Sequence, residues 1–104
     1  MMFLLLAAAV AEPPPVVVSS LTTEQLAAQC VGNDRDTRAT FCTGYILGVF
    51  DALSSTHAIC PVAGKASTAE VIAAPRKYMR KYHKKWSAAP AFVVRDALRE
   101  AFPC

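Results

Sequence analysis

The sequence predicts an all-α domain, a small disulfide-bonded bundle of four to five helices. Apolar residues recur at spacings of three and four through 41–53 and again through 92–102, and no stretch alternates as a strand requires. Two capping boxes, Thr22-x-x-Gln25 and Ser67-x-x-Glu70, mark helix starts. Four cysteines stand in only 104 residues, a density that reads as crosslinks wherever the compartment is oxidising. The length suits one domain. With 54% apolar and 18% charged residues the chain is too apolar to be disordered, and with four glycines it is too poor in glycine for collagen or a turn-rich β sandwich.

The first helix is expected from about Thr23 to Val31, with Leu21 and Leu26 at the staple positions and Gly32 suited to C′. Asn33 or Asp34 caps the second, which runs from roughly Arg35 to Ser55 and buries Phe41, Tyr45, Ile46, Val49, Phe50 and Leu53. Gly44 and Gly48 lie one turn apart on it. Together they cost about 2 kcal/mol of helix propensity, so close packing of another backbone against them is the expected compensation. A loop follows from Cys60 to Gly64. Ser67 opens the third helix, and Pro75 should kink it or split it into 68–74 and 76–85. Ser87 is the expected cap of the last helix, with Pro90 in its first turn.

Cysteine topology follows from helix geometry. A second helix intact from Cys42 onward carries its end about 20 Å away, and the few residues from Ser55 to Cys60 span that only when fully extended. Cys42–Cys60 is therefore disfavoured, since a disulfide needs Cα atoms within about 7 Å. Cys30–Cys60 fails for the same reason. Cys30–Cys42 and Cys60–Cys104 remain, worth roughly 3 and 4 kcal/mol in the loop-closure model.

Phe3–Ala11, FLLLAAAVA, has nine apolar residues, too few to span a bilayer, and Ala9-Val10-Ala11 is an A-x-A cleavage site. Residues 1–11 read as a signal peptide and residues 12–21 as a Pro-rich leader, with the domain at 22–104. The expected location is the periplasm, reached by export across the inner membrane. Charge is uneven: the sequence carries +3 in all, with −3 in residues 1–64 and +6 in residues 65–104. An electrostatic partner should meet the C-terminal half.

Chemistry is sparse. The sequence has no nucleophile elbow, Gly-rich phosphate loop, zinc helix motif or C-x-x-C, so no catalytic residue, metal or cofactor is expected. His57, near Asp51, and His83, among lysines, read as surface histidines. The sharpest local feature is RKYMRKYHKK, residues 76–85. On one continuous helix Arg76, Lys77, Arg80, Lys81, Lys84 and Lys85 share a face, opposite Tyr78, Met79 and Tyr82. Such a face is either solvated or a contact for an acidic protein surface; nucleic acid and anionic lipid fit an exported chain less well. Arg80, Lys81, Lys84, Lys85, Trp86 and Ser87 are the candidate partner-binding residues.

The run from Phe41 to Ala52, FCTGYILGVFDA, followed by Ile59-Cys60 and the terminal ALREAFPC of Ala97–Cys104, resembles the Rap/Tai family of small periplasmic immunity proteins of type VI secretion. The resemblance covers about residues 24–104. It implies a disulfide-bonded helical fold, often a homodimer, without catalytic residues, that binds and blocks a peptidoglycan amidase effector. Pro75 and the basic turn Lys84-Lys85-Trp86-Ser87 depart from the family pattern. Two expectations follow: an exported inhibitor occluding an amidase cleft, or a periplasmic stress chaperone or structural protein of similar build. Neither needs nucleic acid or stable membrane insertion.

Overall fold

Seven residues make a helix too short to stand alone, and the first helix of this chain is that short. The computed structural model describes residues 15–104, so the expected signal peptide and residues 12–14 of the leader lie outside the described residues. Residues 15–21 carry no helix or strand, and α1 spans Thr23–Gln29. Its capping box is reciprocal: the Gln25 N–H donates to Thr22 Oγ1 at 3.2 Å, and the Thr22 N–H to Gln25 Oε1 at 2.9 Å. The two amides between them donate to a distant turn. Thr23 N–H reaches the Ala88 carbonyl at 3.1 Å, and Glu24 N–H reaches that of Trp86 at 3.0 Å. All the donors that a helix start leaves open are thereby satisfied.

Helix α2 spans Phe41–Ser55, six residues shorter at its start than the expected Arg35–Ser55. Neither Asn33 nor Asp34 caps it. Asp34 is held by Arg80, while the side chains of Asn33 and Asp36 each accept the backbone N–H two residues on, from Arg35 at 2.9 Å and Arg38 at 3.0 Å, and such local turns compete with helix. Thr40 is the actual cap, its Oγ1 accepting from the Thr43 N–H at 3.2 Å. At the other end His57 adopts φ 58°, with its own N–H on the Ser54 carbonyl and that of Ala58 on Leu53, the Schellman closure with histidine where glycine is usual. The expectation for Gly44 and Gly48 is corrected. Both are exposed, and apart from their chain neighbours and the helix's own backbone nothing lies within 4 Å of where a Cβ would stand on either. The buried face of α2 carries Cys42, Thr43 and Ile46 instead.

Helix α3, Thr68–Lys81, starts where expected, with Ser67 Oγ accepting the Glu70 N–H at 3.2 Å, but the capping box is only half formed because the Glu70 carboxylate is taken by Arg35. Pro75 neither splits nor ends it. The buried side chains Val71 and Ile72 before the proline and Met79 after it belong to one core, so packing holds together what local preference would break. The helix ends at Lys81, and His83–Lys85 form a separate 3-10 turn. Helix α4, Pro90–Ala101, starts without a side-chain cap, so Ser87 does not serve there. Ala89 precedes a proline and is extended (φ −64°, ψ 129°), which prevents an earlier start. Val93, Val94 and Leu98 of α4 close the core over Leu26, Ile46, Ile59, Ile72 and Met79. The described residues form four α-helices and no strand, the expected all-α fold.

Both disulfides pair as expected. Cys30 and Cys42 have Cα atoms 5.1 Å apart, fastening the end of α1 to the first turn of α2. Cys60 and Cys104 stand 4.6 Å apart and fasten the loop before α3 to the chain's last residue. The Cys60 N–H also donates to the Phe102 carbonyl at 3.0 Å, and the Phe102 ring packs edge-on to Phe50 at 5.9 Å. Replacing Cys60 and Cys104 together by serine should cost about 4 kcal/mol, and the Cys30/Cys42 pair about 3 kcal/mol, measured by urea unfolding.

The segment 33–40 is held by ion pairs. Arg35 meets Glu70, Arg80 meets Asp34, and Arg38 grips Asp36 through Nε and NH2 at 3.0 and 2.6 Å. The hydrogen bonds from Arg38 push the Asp36 carboxyl down to about 2. Asp34 and Glu70 are lowered mainly by their bonds to Arg80 and Arg35. A carboxyl with a lower pKa in the folded state stabilises above its unfolded value, about 4, and that contribution disappears as the pH falls towards the folded value. Thermal unfolding between pH 5 and pH 2 should show Tm dropping below about pH 4, with a smaller drop in high salt and in Asp36→Asn.

Candidate functional site

The basic segment 76–85 is divided by the fold. Helix α3 stops at Lys81, so Lys84 and Lys85 project from the turn and not from the helix face on which continuous spacing would place them. Arg76 is only 3% exposed and donates through NH1 to the Asn33 carbonyl. Arg80, one turn on, holds the Asp34 carboxylate through both terminal nitrogens, the NH2 contact being 2.7 Å. The arginines therefore line the side towards segment 33–36, while Lys77 and Lys81 face solvent. The shared six-charge face expected from spacing is corrected to two stripes, one used internally and one free.

The turn between α3 and α4 is fastened from several directions. Trp86 is half-buried. Its ring N–H donates to the Met79 carbonyl at 2.8 Å, and its face stacks on His83 at 4.3 Å. Its own carbonyl and that of Ala88 receive the first amides of α1, and the Thr23 hydroxyl donates to Ala88 as well, at 2.8 Å. Lys85 folds back. Its Nζ donates to the Tyr78 hydroxyl at 2.6 Å and lies 5.0 and 5.1 Å from the Tyr78 and Tyr82 ring centres. The Tyr78 hydrogen bond, and then the nearby negative charge of Asp96, hold the Lys85 ammonium above its usual pKa. Lys81 sits 5.3 Å over the Tyr82 ring and remains exposed, as do Lys84 and Ser87.

Of the six candidate partner-binding residues, Lys81, Lys84 and Ser87 are exposed, and Arg80 is exposed too but holds Asp34 with its guanidinium. Lys85 and Trp86 brace the turn through Tyr78 and the Met79 carbonyl. The sequence signal for this division is faint. Its one trace is the pair of acids beside Asn33, Asp34 and Asp36, in a segment where arginines from elsewhere in the chain can find a carboxylate.

His57 is exposed at the end of α2, and His83 is stacked on Trp86. Both cysteine pairs are oxidised, and among the described residues no group of three or more His, Cys, Asp or Glu is placed to hold a metal. No helix among the described residues is long and apolar enough to cross a membrane. What the geometry offers is a shaped, positively charged turn on a stiff base.

The second unpartnered surface lies on α2. Phe41 is 54% exposed and Gly44, Gly48 and Ala52 are exposed along one side, on a helix whose one charge is Asp51.

The family model of the Rap1a immunity proteins matches residues 22–104. Comparison with curated proteins and with solved structures gives no match. The matched stretch runs from the cap of α1 to Cys104 and so takes in all four helices, both crosslinks and the lysine-bearing turn. This chain belongs to the Rap1a immunity protein family.

Proposed function

We propose that the chain is a periplasmic immunity protein that binds a peptidoglycan amidase effector of type VI secretion and blocks it by covering the active cleft with the α3–α4 turn. The observation that carries this reading is the fastening of that turn. Five hydrogen bonds from α1, Trp86 and Lys85 hold its backbone and side chains before any partner arrives, while Lys81, Lys84 and Ser87 stay exposed. A loop already set in its bound shape loses little entropy on docking. Exclusion of substrate needs only shape and charge fit, which agrees with a family of non-enzymatic inhibitors. Exposed lysines would speed encounter with an acidic cleft rim.

The proposal includes a homodimer through the open side of α2. Gly44 and Gly48 would let a second helix approach closely, and that contact would offset the roughly 2 kcal/mol the two glycines cost the helix.

Two measurements check these statements. Titration of a cognate amidase should give inhibition at low salt that Lys81→Glu/Lys84→Glu weakens at least tenfold. Unchanged inhibition by that double variant would take this turn out of the account. Trp86→Ala is the poorer probe because it also frees the Met79 carbonyl and the stack on His83. In analytical ultracentrifugation the chain should sediment as a dimer and Gly48→Arg as a folded monomer, since there is room for the longer side chain within one chain.

A further inference from the structure

Between α1 and α3 lies a cleft of about 400 Å³ whose walls include Ala27, Val31, Met79 and Trp86, with Arg76 and Arg80 also lining it. Its unusual member is Arg76. The side chain is 3% exposed, yet it forms no ion pair among the described residues. NH1 donates to the Asn33 carbonyl, whereas Nε is buried with no acceptor. The carboxylates closest in charge to Arg76 are already taken, Asp34 by Arg80 and Asp36 by Arg38. Three guanidinium groups thus share two carboxylates, and the one without an acid is the buried one. A buried cation left without an anion is costly, and a carboxylate entering the cleft would relieve it through charge-assisted hydrogen bonds.

We propose that this cleft is a recognition pocket for a glutamate or aspartate side chain of the effector, carried next to an apolar residue. Charge complementarity selects the carboxylate, and the wall of Ala27, Val31, Met79 and the Trp86 ring selects its apolar neighbour. Because Trp86 links the cleft to the α3–α4 turn, an acidic loop of the effector would fill the pocket while the turn covers the active site. The identity of the partner rests on the proposed inhibitory function, but the pocket can be tested without any amidase.

Trp86 is the sole tryptophan of the chain, so its fluorescence reports occupancy directly. The probes are three peptides: acetyl-Phe-Glu-amide, acetyl-Phe-Gln-amide and acetyl-Phe-Gln with a free C-terminal carboxylate. Saturable binding of the glutamyl amide, at least tenfold tighter than that of the glutaminyl amide, is expected. Equal binding of all three would reduce the cleft to an apolar groove and overturn the proposal. Tightest binding of the free acid would assign the pocket to a chain terminus and overturn it as well. Arg76→Met should erase the preference for glutamate, but it also removes the bond to Asn33 and can unfold the protein. Val31→Glu avoids this, because Val31 is 76% exposed and lines the same cleft. Because Val31 also belongs to the apolar wall, both peptides should weaken, but the glutamyl peptide at least tenfold more than the glutaminyl one, so that the preference for glutamate is lost. Identical affinities of wild type and Val31→Glu for the glutamyl peptide would show that the peptide binds elsewhere. Failure of the peptides alongside intact inhibition of an amidase removes the pocket alone; loss of inhibition by Lys81→Glu/Lys84→Glu stands or falls separately.

Discussion

The docking of the Trp86–Ala88 backbone onto the amide end of α1 holds the architecture together. A seven-residue helix has little stability of its own. Here its start is held by its capping box and by carbonyls 60 or more residues away in sequence, and its end by the Cys30–Cys42 bridge. With both ends fastened, Leu26 stays fully buried against the other helices. The constraint works in both directions. The turn that satisfies α1 is itself immobilised, so stability of the smallest helix and shape of the candidate binding surface come from one set of hydrogen bonds. The second bridge does the same at the opposite end, joining the loop before α3 to the end of the chain beside Phe102.

Charge in this protein is divided between internal and external work. Of the basic residues at 76–85, the two arginines turn inward to segment 33–36, where a planar guanidinium can serve carbonyls and carboxylates together. Lys85 is held by two tyrosines, and Lys77, Lys81 and Lys84 are left at the surface. A run that reads as one uniform patch therefore contains a brace, a buried cation and a solvated rim. In the proposed complex the rim would supply long-range attraction and the buried cation would meet a specific carboxylate.

This arrangement fits an immunity protein. Inhibition by occupancy asks for a stable body, a pre-shaped contact and complementary charge, and it asks for no nucleophile or base. The described residues supply a body fastened by two disulfides, a turn held by hydrogen bonds from α1, and exposed lysines beside it. The open side of α2 is a separate resource. A helix with apolar residues nearly all round and a single acid, Asp51, is unusual at a protein surface unless something covers it.

The sequence by itself determined the helical class, the helix caps at Thr22 and Ser67 and the disulfide pairing. Each rests on near neighbours in the chain or on how far a helix of known rise can carry a cysteine. Tertiary structure decided what depends on contacts between distant segments. It kept α3 whole across Pro75 because residues on both sides share one core. It delayed α2 to Phe41 because Asn33 and Asp36 bind local amides while arginines of α3 hold the segment down. It left Gly44 and Gly48 facing open space, since the helix turns Cys42, Thr43 and Ile46 inward. It also separated Arg76 from Lys77, because a one-residue step turns a helix by about 100° and moves a charge from the cleft to solvent. Spacing along a chain shows which side chains share a face, whereas burial of that face depends on which other segment folds against it.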